Sequence, residues 1–127
     1  MLIDGRGCWL SRHGGFVRAP GQAALFVDRD DLLVRDPGFL RDPDQVELLE
    51  GASELVALAN RCALPVIVAT NQSGIARGFF EWADFAAVSE RMLALLDARG
   101  CRIAAILACA WHAEGRDGLR MARHAWR

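Results

Sequence analysis

Three short apolar runs, each followed by polar residues, constrain the fold of this chain more than any other feature. They are AALFV at 23–27, LPVIVAT at 64–70 and CRIAAILAC at 101–109. Short continuous apolar runs are typical of strands buried on both faces of a parallel sheet. Segments with helical periodicity separate the runs, at 51–61 and at 81–100. This alternation predicts parallel βαβ units and therefore an α/β fold with a Rossmann-like sheet.

The segments around these runs are assigned by periodicity and by stop signals. In the first helix Leu55, Leu58 and Ala59 form the predicted apolar face, and Ser53 is a candidate N-cap. The second helix is expected to stop at Gly100. Residues 1–22 are rich in Gly and Arg and have no sustained period, which indicates an irregular N-terminal extension that can include a short strand. The core is expected within residues 23–127.

Composition excludes several classes of partner. At 127 residues the chain fits one small domain. Fifteen basic and sixteen acidic residues give a formal net charge of -1, so charge gives no reason to expect nucleic acid or a membrane as partner. No apolar run is long enough to span a bilayer and no signal pattern is present, so we expect a cytoplasmic protein. The four cysteines form no CxxC pair and are expected to be mostly buried thiols.

Acidic residues cluster where the first predicted strand ends, at Asp28, Asp30 and Asp31. Two carboxylates at i and i+2 on an extended stretch lie on the same side, so Asp28 and Asp30 can address one bound group. Such a pair suits a hard cation such as Mg2+. It also suits phosphoryl transfer, with one carboxylate as nucleophile and the other as acid/base. An acidic turn with side-chain caps is the alternative.

A polar turn follows the second predicted strand, TNQSG at 70–74. Ligands of open parallel sheets bind beyond the carboxyl ends of the strands, so this turn, the acidic cluster and the residues after Cys109 are expected to face one site. Hydroxyl, amide and backbone N–H groups suit phosphate oxygens, and Arg77 offers a guanidinium fork. An ordinary polar turn is the alternative.

The two motifs together amount to a family resemblance. FVDRDDLLV at 26–34, followed by IVATNQSGIARG at 67–78, resembles the haloacid dehalogenase (HAD) superfamily of phosphatases, subfamily III. Within this superfamily, the sequence most resembles the branch that acts on heptose bisphosphates and histidinol phosphate. The resemblance runs from Ala23 to Arg127. It implies a three-layer α/β/α fold, of which the first three core strands are present. It also implies Mg2+-dependent hydrolysis of a small phosphorylated metabolite through an aspartyl-phosphate.

The resemblance implies roles for matching positions. Asp28 would be the nucleophile and a Mg2+ ligand, and Asp30 the general acid/base that also ligates the metal through its backbone carbonyl. Thr70 would hold the transferring phosphoryl group. The other implied substrate or phosphate contacts are Asn71, Gln72, Ser73, Asp36, Gly38, Phe39 and Arg127.

Two positions or segments of the sequence depart from the family pattern. Asp31 stands where the family usually has Gly, which turns without steric cost. The zinc loop of the family has three Cys and one His, whereas the matching positions here hold Cys109, Trp111, His124 and Trp126. His112 lies one residue after the family ligand position that Trp111 occupies. A structural zinc site needs four ligands, so zinc is not expected.

A third departure concerns positive charge. The chain contains no Lys, because all fifteen basic residues are Arg. The family lysine would fall just after Arg127, and acidic metal ligands would follow on a fourth core strand. We therefore expect a C-terminally truncated phosphatase. Its Asp28-bearing strand would be an exposed apolar edge, able to pair with a second copy although the family is monomeric.

These sequence features are compatible with three functions. The leading interpretation is a Mg2+-dependent phosphatase acting on a heptose bisphosphate-like sugar or on histidinol phosphate. The alternative is a catalytically impaired pseudo-phosphatase that serves as a binding or interaction module. A phosphoacceptor receiver domain also begins with acids after its first strand, but it needs an Asp where Cys109 stands and a later Lys.

Overall fold

The computed structural model of the protein describes residues 1–14, 20–116 and 118–120. No helix in these ranges is long and apolar enough to cross a membrane. Strands and helices alternate along most of the chain. In order, the elements are β1 (Cys8–Arg12), β2 (Leu25–Val27), a 3-10 turn (Pro43–Gln45), α1 (Ala52–Arg61), β3 (Val66–Asn71), α2 (Ser73–Ala76), α3 (Trp82–Asp97) and β4 (Ala105–Cys109).

The four strands form one open mixed sheet in the order β1-β4-β3-β2. β2 pairs with β3 and β3 with β4, both in parallel, with Val68 aligned to Val27 on one side and to Ile106 on the other. β2 and β4 lie within the first and third apolar runs, and β3 begins in the second run and extends one residue past it, so the predicted α/β fold is confirmed. Parallel pairing brings the residues that follow β2 and β3 to one end of the sheet.

The N-terminal segment contributes a fourth strand. Although residues 1–22 carry no sustained period, β1 pairs antiparallel with β4 along its whole length. Trp9 stacks on Trp82 with ring centroids 5.6 Å apart, and it meets Phe85 edge-on. Burial of a large aromatic side chain against α3 stabilises this strand, and such a long-range contact is not visible in local periodicity.

The core lies on one face of the sheet. Val66 and Val68 of β3 are fully buried there, as is Ile106 of β4. Helices α1 and α3 both bury side chains in the same cluster. Each fully buried aliphatic side chain contributes about 1.5–3 kcal/mol through removal of apolar area from water. The inward residues of α3 include Phe85, Val88, Met92 and Leu96.

The face of helix α1 that packs against the core differs from the predicted face, which contained Leu55 and Leu58. Val56 and Ala59 are buried with Ala52, whereas Leu55 and Leu58 are 37% and 53% exposed. The prediction was wrong for the two leucines. The residues at i, i+4 and i+7 from Ala52 are small or β-branched, and they let the helix approach the sheet closely.

The start of α1 also differs from the prediction. Gly51 occupies the N-cap position with φ 86 and makes no side-chain cap, so the assignment of Ser53 as N-cap was wrong. Ser53 lies within the helix and is buried, and its Oγ accepts a hydrogen bond from Arg99 Nη1 at 3.0 Å. Glycine reaches the left-handed conformation there without steric cost.

The opposite face of the sheet is partly open. Phe26 of β2 is 60% exposed, and its neighbours on that face, Ile67 and Ala105, are half-buried. With His13 and Gln22, among others, these residues line a cavity of about 650 Å³. β2 is also an edge of the sheet formed by the described residues, as expected for the strand that precedes Asp28.

Candidate active site

The acidic cluster follows β2 directly. Asp28 is exposed, and its Oδ1 accepts a hydrogen bond from Arg29 N at 2.7 Å. Asp31 has φ 59, in the left-handed region that favours glycine, and its Oδ1 accepts from Asp36 N at 3.1 Å. Asp31 therefore adopts the turn conformation expected of the Gly that the family usually has at this position. Its side chain adds a hydrogen bond to the backbone of Asp36.

Arg29, between the two aspartates, is fully buried. Its Nε donates to Asp30 Oδ1 at 2.7 Å and its Nη2 to Asp30 Oδ2 at 3.2 Å. The guanidinium carbon lies 5.4 Å from the ring centroid of Phe85. Nη1 is buried without a hydrogen-bond partner among the described residues. Arg29 was not predicted as a site residue, although a cation between two carboxylates at the end of a buried strand was a usable signal.

Gln72 joins the ends of three strands. It is 3% exposed, and its Nε2 donates to Asp30 Oδ2 at 3.0 Å and to Thr70 Oγ1 at 2.9 Å. Its Oε1 accepts from Arg29 Nη2 at 3.2 Å. Its backbone N donates to the carbonyl of Cys109 at 2.7 Å. One buried side chain therefore fixes the positions of an acid after β2 and a hydroxyl at the end of β3.

Most of the predicted site residues line one cavity of about 300 Å³. Gly74 and Phe80 also line it and were not predicted. A Cβ on Gly74 would lie 2.4 Å from the Phe80 ring and 2.8 Å from that of Phe39, so this wall has no room for a side chain. The lining residues are Asp28, Asp30, Asp36, Gly38, Phe39, Asn71, Gln72, Ser73, Gly74 and Phe80.

Three of the predicted substrate or phosphate contacts are not among those lining residues. Thr70 is 7% exposed and is engaged by Gln72. Arg77 stacks on the rings of Phe39 and Phe79, with its guanidinium carbon 5.5 Å and 4.8 Å from their centroids. Its cation thus lies against aromatic side chains at the rim of the cavity. Arg127 lies outside the described residues.

The candidate zinc-loop residues do not assemble into a site in the described part of the chain. Cys109 ends β4, and His112 accepts a hydrogen bond from the backbone of Glu114 at 3.1 Å. His124 lies outside the described residues. Within the described ranges, no three His, Cys, Asp or Glu side chains are grouped so as to hold a metal ion. Trp111, at a family ligand position, instead donates from Nε1 to Asp4 Oδ2 at 3.1 Å.

Asp28 and Asp30 supply the kind of donors that Mg2+ requires. Both line the same cavity, and both follow one strand at a spacing of two residues. Mg2+ in proteins is commonly held by one or two carboxylates, with water and phosphate oxygens completing the shell. The donor set of this cavity therefore fits Mg2+.

Comparison with known protein sequences agrees with a site for a phosphorylated ligand. No protein-family model matches the chain. D-glycero-beta-D-manno-heptose-1,7-bisphosphate 7-phosphatase from Mesorhizobium japonicum is 44% identical over 121 residues, which are 95% of this chain and 56% of the relative. The enzyme of the same name from Pasteurella multocida is 36% identical over 93 residues, which are 73% of this chain and 50% of that one. The chain thus spans about half the length of the curated relatives it matches.

Solved structures agree with this relationship. A crystal structure from Mesorhizobium loti, described as a HAD-like phosphatase, matches with TM-score 0.89 and 44% identity, over 95% of this chain and 58% of that one. D,D-heptose 1,7-bisphosphate phosphatase from B. bronchiseptica, complexed with magnesium and phosphate, matches with TM-score 0.68 and 30% identity, over 78% of this chain and 56% of that one. By sequence and by fold, the chain belongs to the HAD superfamily of phosphatases.

Proposed function

We propose that this chain is a Mg2+-dependent phosphomonoesterase that acts on a small phosphorylated sugar of the heptose bisphosphate type. The observation that carries the proposal is one cavity that Asp28 and Asp30 line together with the polar turn 71–73. The names of the relatives support a sugar bisphosphate over histidinol phosphate. They also favour an enzyme over a non-catalytic interaction module.

Asp28 is the proposed nucleophile. Its exposed carboxylate lies at the cavity wall, and the backbone N–H of Arg29 holds Oδ1. The other oxygen is then the attacking atom. It forms a bond to phosphorus while the bond from phosphorus to the sugar oxygen breaks, which leaves an aspartyl-phosphate.

Asp30 is the proposed general acid/base. It donates a proton to the departing sugar oxygen and later accepts one from the water that attacks phosphorus, which releases phosphate and restores Asp28. Both Asp30 oxygens are engaged, one by Arg29 and the other by Arg29 and Gln72. This fixed orientation lowers the cost of placing the carboxyl group correctly for transfer.

Side chains at the end of β3 and directly after it are proposed to hold the phosphoryl oxygens. Asn71 and Ser73 line the cavity and carry amide and hydroxyl donors. The Thr70 hydroxyl accepts from Gln72, and a hydroxyl can donate its own proton at the same time. Bound Mg2+, held by the Asp28 carboxylate and the Asp30 backbone carbonyl, would neutralise charge on the phosphoryl group.

The rim of the cavity is proposed to recognise the sugar. Asp36, Gly38 and Phe39 belong to this wall, and Gly38 N donates to Asp36 Oδ1 at 2.9 Å. Arg77, which stacks on Phe39, places a cation beside this wall for a second phosphate of the substrate. Arg127 is proposed as a further substrate contact.

Phosphate release from heptose bisphosphate and from histidinol phosphate in Mg2+ tests the proposal. We expect turnover of the sugar bisphosphate, abolished in Asp28→Asn and retained in Asp44→Asn, whose exposed carboxylate lies in the 3-10 turn. Binding of a beryllium fluoride phosphate analogue with Mg2+ gives a second readout. Folded protein that neither turns over these substrates nor binds the analogue would overturn the proposal.

The open edge of β2 is proposed to pair with a second copy of the chain. Phe26 is 60% exposed beside this edge, and unpaired apolar edge strands associate readily. Sedimentation should show a dimer that Phe26→Ser weakens, and a monomer at all concentrations would contradict this. A cytoplasmic location remains a prediction.

A further inference from the structure

Two cysteines face each other across the antiparallel pair of β1 and β4. Cys8 and Cys109 are register partners. The next pair along the ladder, Gly7 and Ala110, is hydrogen-bonded, with Ala110 N donating to Gly7 O at 2.8 Å. Because bonded and non-bonded pairs alternate in antiparallel ladders, Cys8 and Cys109 form a non-hydrogen-bonded pair.

A non-hydrogen-bonded pair is the geometry in which opposed side chains come closest. Its Cα atoms lie about 4.5 Å apart. Disulfides accept Cα separations of about 4.4–6.8 Å, so closure of this pair needs little backbone movement. Burial, the carboxylate of Asp4 and the neighbouring Cys109 raise the pKa of the Cys8 thiol, so less of this thiol is ionised at neutral pH.

The two thiols are reachable, and the other cysteines are placed differently. Cys8 and Cys109 are half-buried, so a small reagent can contact them. Cys62 is exposed just after α1, and Cys101 is buried with its Sγ donating to Ser53 O at 3.2 Å. Neither of these two residues belongs to a strand.

We propose that Cys8 and Cys109 form a redox-modification site that closes to an intramolecular disulfide on exposure to a low-molecular-weight disulfide. One cysteine thiolate attacks a sulfur of the reagent, forming a mixed disulfide and releasing one reagent thiolate. The second cysteine thiolate then attacks the cysteine sulfur of that mixed disulfide and releases the other reagent thiolate. The protein loses two electrons and two protons, and the reagent is reduced to two thiols.

Closure of this disulfide ties the N-terminal strand to the strand beside the active-site cavity. The carbonyl of Cys109 accepts the backbone N–H of Gln72, whose side chain holds Asp30. The bond closes a loop of roughly 100 residues, which restricts the unfolded chain strongly. We expect the oxidised protein to melt at a higher temperature than the reduced protein.

Peptide mapping after treatment with oxidised glutathione tests the proposal. Cleavage after Arg separates all four cysteines, with Cys8 in 7–12, Cys62 in 62–77, Cys101 in 100–102 and Cys109 in 103–116. We expect monomeric protein in which 7–12 is joined to 103–116, two hydrogen atoms lighter than the two free peptides. Cys62→Ser should keep this species, and Cys8→Ser and Cys109→Ser should lose it.

The same treatment in guanidinium provides a control that needs no variant. There the fold no longer sets the register, so mixed pairings should appear. Native protein that carries separate glutathione adducts on Cys8 and Cys109, or that pairs either with Cys62, would overturn the proposal. So would a native pairing pattern that equals the denatured one.

Discussion

Arg29 Nε donates to Asp30 Oδ1 at 2.7 Å, although the two residues are neighbours in the chain and the arginine side chain is fully buried. The cation therefore lies inside the core beside Phe85, and the carboxylate remains at the cavity wall. Charge-assisted bidentate contacts of this kind are strong and geometrically specific. Arg29 thus acts as a positioning residue for the proposed acid/base.

Replacement of Arg29 by Met should destabilise the fold. It leaves Asp30 without its cation, and loss of one partner of a buried pair costs about 3 kcal/mol. Asp30 is 24% exposed, which places the expected loss at the low end for such pairs. Urea denaturation measures the change in unfolding free energy.

The matched control for that substitution is Arg35→Met. Arg35 pairs with Glu47 at 3.1 Å, but the two side chains are 55% and 68% exposed. Exposed pairs contribute about 0.2–1 kcal/mol. Equal losses for Arg29→Met and Arg35→Met would contradict the assigned role of Arg29.

Replacement of Gln72 by Glu should reduce kcat more than it changes KM. The substitution exchanges an amide donor for an oxygen that repels Asp30 and no longer donates to Thr70. We expect a kcat lower by about tenfold to a hundredfold, as for other residues that orient a reacting group. Gln45→Glu, in the exposed 3-10 turn, should leave steady-state kinetics unchanged. A kcat that Gln72→Glu does not alter would refute the orienting role.

Replacement of Asp31 by Asn should lower KM for an anionic substrate. Asn also tolerates the left-handed conformation and keeps an acceptor for Asp36 N, so the turn is retained while one negative charge is removed. An exposed charge interaction of about 0.2–1 kcal/mol corresponds to a KM lower by roughly 1.4-fold to fivefold. Added salt should shrink the difference from wild type. A salt-independent KM effect would point to a change in conformation instead.

Replacement of Gly74 by Ala should disturb the cavity wall. The new Cβ would meet the rings of Phe80 and Phe39 at 2.4 Å and 2.8 Å. Overpacking of this kind costs about 1–3 kcal/mol. Gly14→Ala is the matched control, because no atom of the described residues lies within 4 Å of a Cβ there. Chemical denaturation gives the unfolding free energy of the two variants, and steady-state kinetics give their KM. Crowding of the cavity should change both quantities in Gly74→Ala only, whereas a general effect of losing glycine should appear in both variants.

Much of the parallel sheet and the outline of the site could be predicted from the sequence. Apolar runs marked β2, β3 and β4, and the carboxyl ends of parallel strands meet at one end of a sheet. Asp28, Asp30 and Asn71 therefore line one cavity, whereas the residues after Cys109, which were expected at the same site, are not among its lining residues. Asp31 was recognised as a residue in a glycine position, and its φ of 59 agrees.

The features that were missed depend on contacts between distant residues. Trp9 is stabilised in β1 by Trp82 and Phe85, which are far away in the chain. Burial of Arg29 depends on Asp30 and Gln72, which accept hydrogen bonds from its Nε and Nη2. Local periodicity contains no information on which strand a segment pairs with or which charge compensates a buried arginine. Trp9 and Arg29 are therefore indistinguishable from ordinary surface residues by sequence pattern.

Phosphate release by wild type, Asp28→Asn and Asp44→Asn on heptose bisphosphate in Mg2+ tests the central claim most directly. If Asp28 is the nucleophile, wild type and Asp44→Asn turn over alike, and Asp28→Asn is slower by about ten-thousandfold or more. Borohydride reduction of the working wild-type enzyme should also convert Asp28 to homoserine in tryptic peptide 19–29. Turnover that survives Asp28→Asn at the wild-type rate would contradict the account.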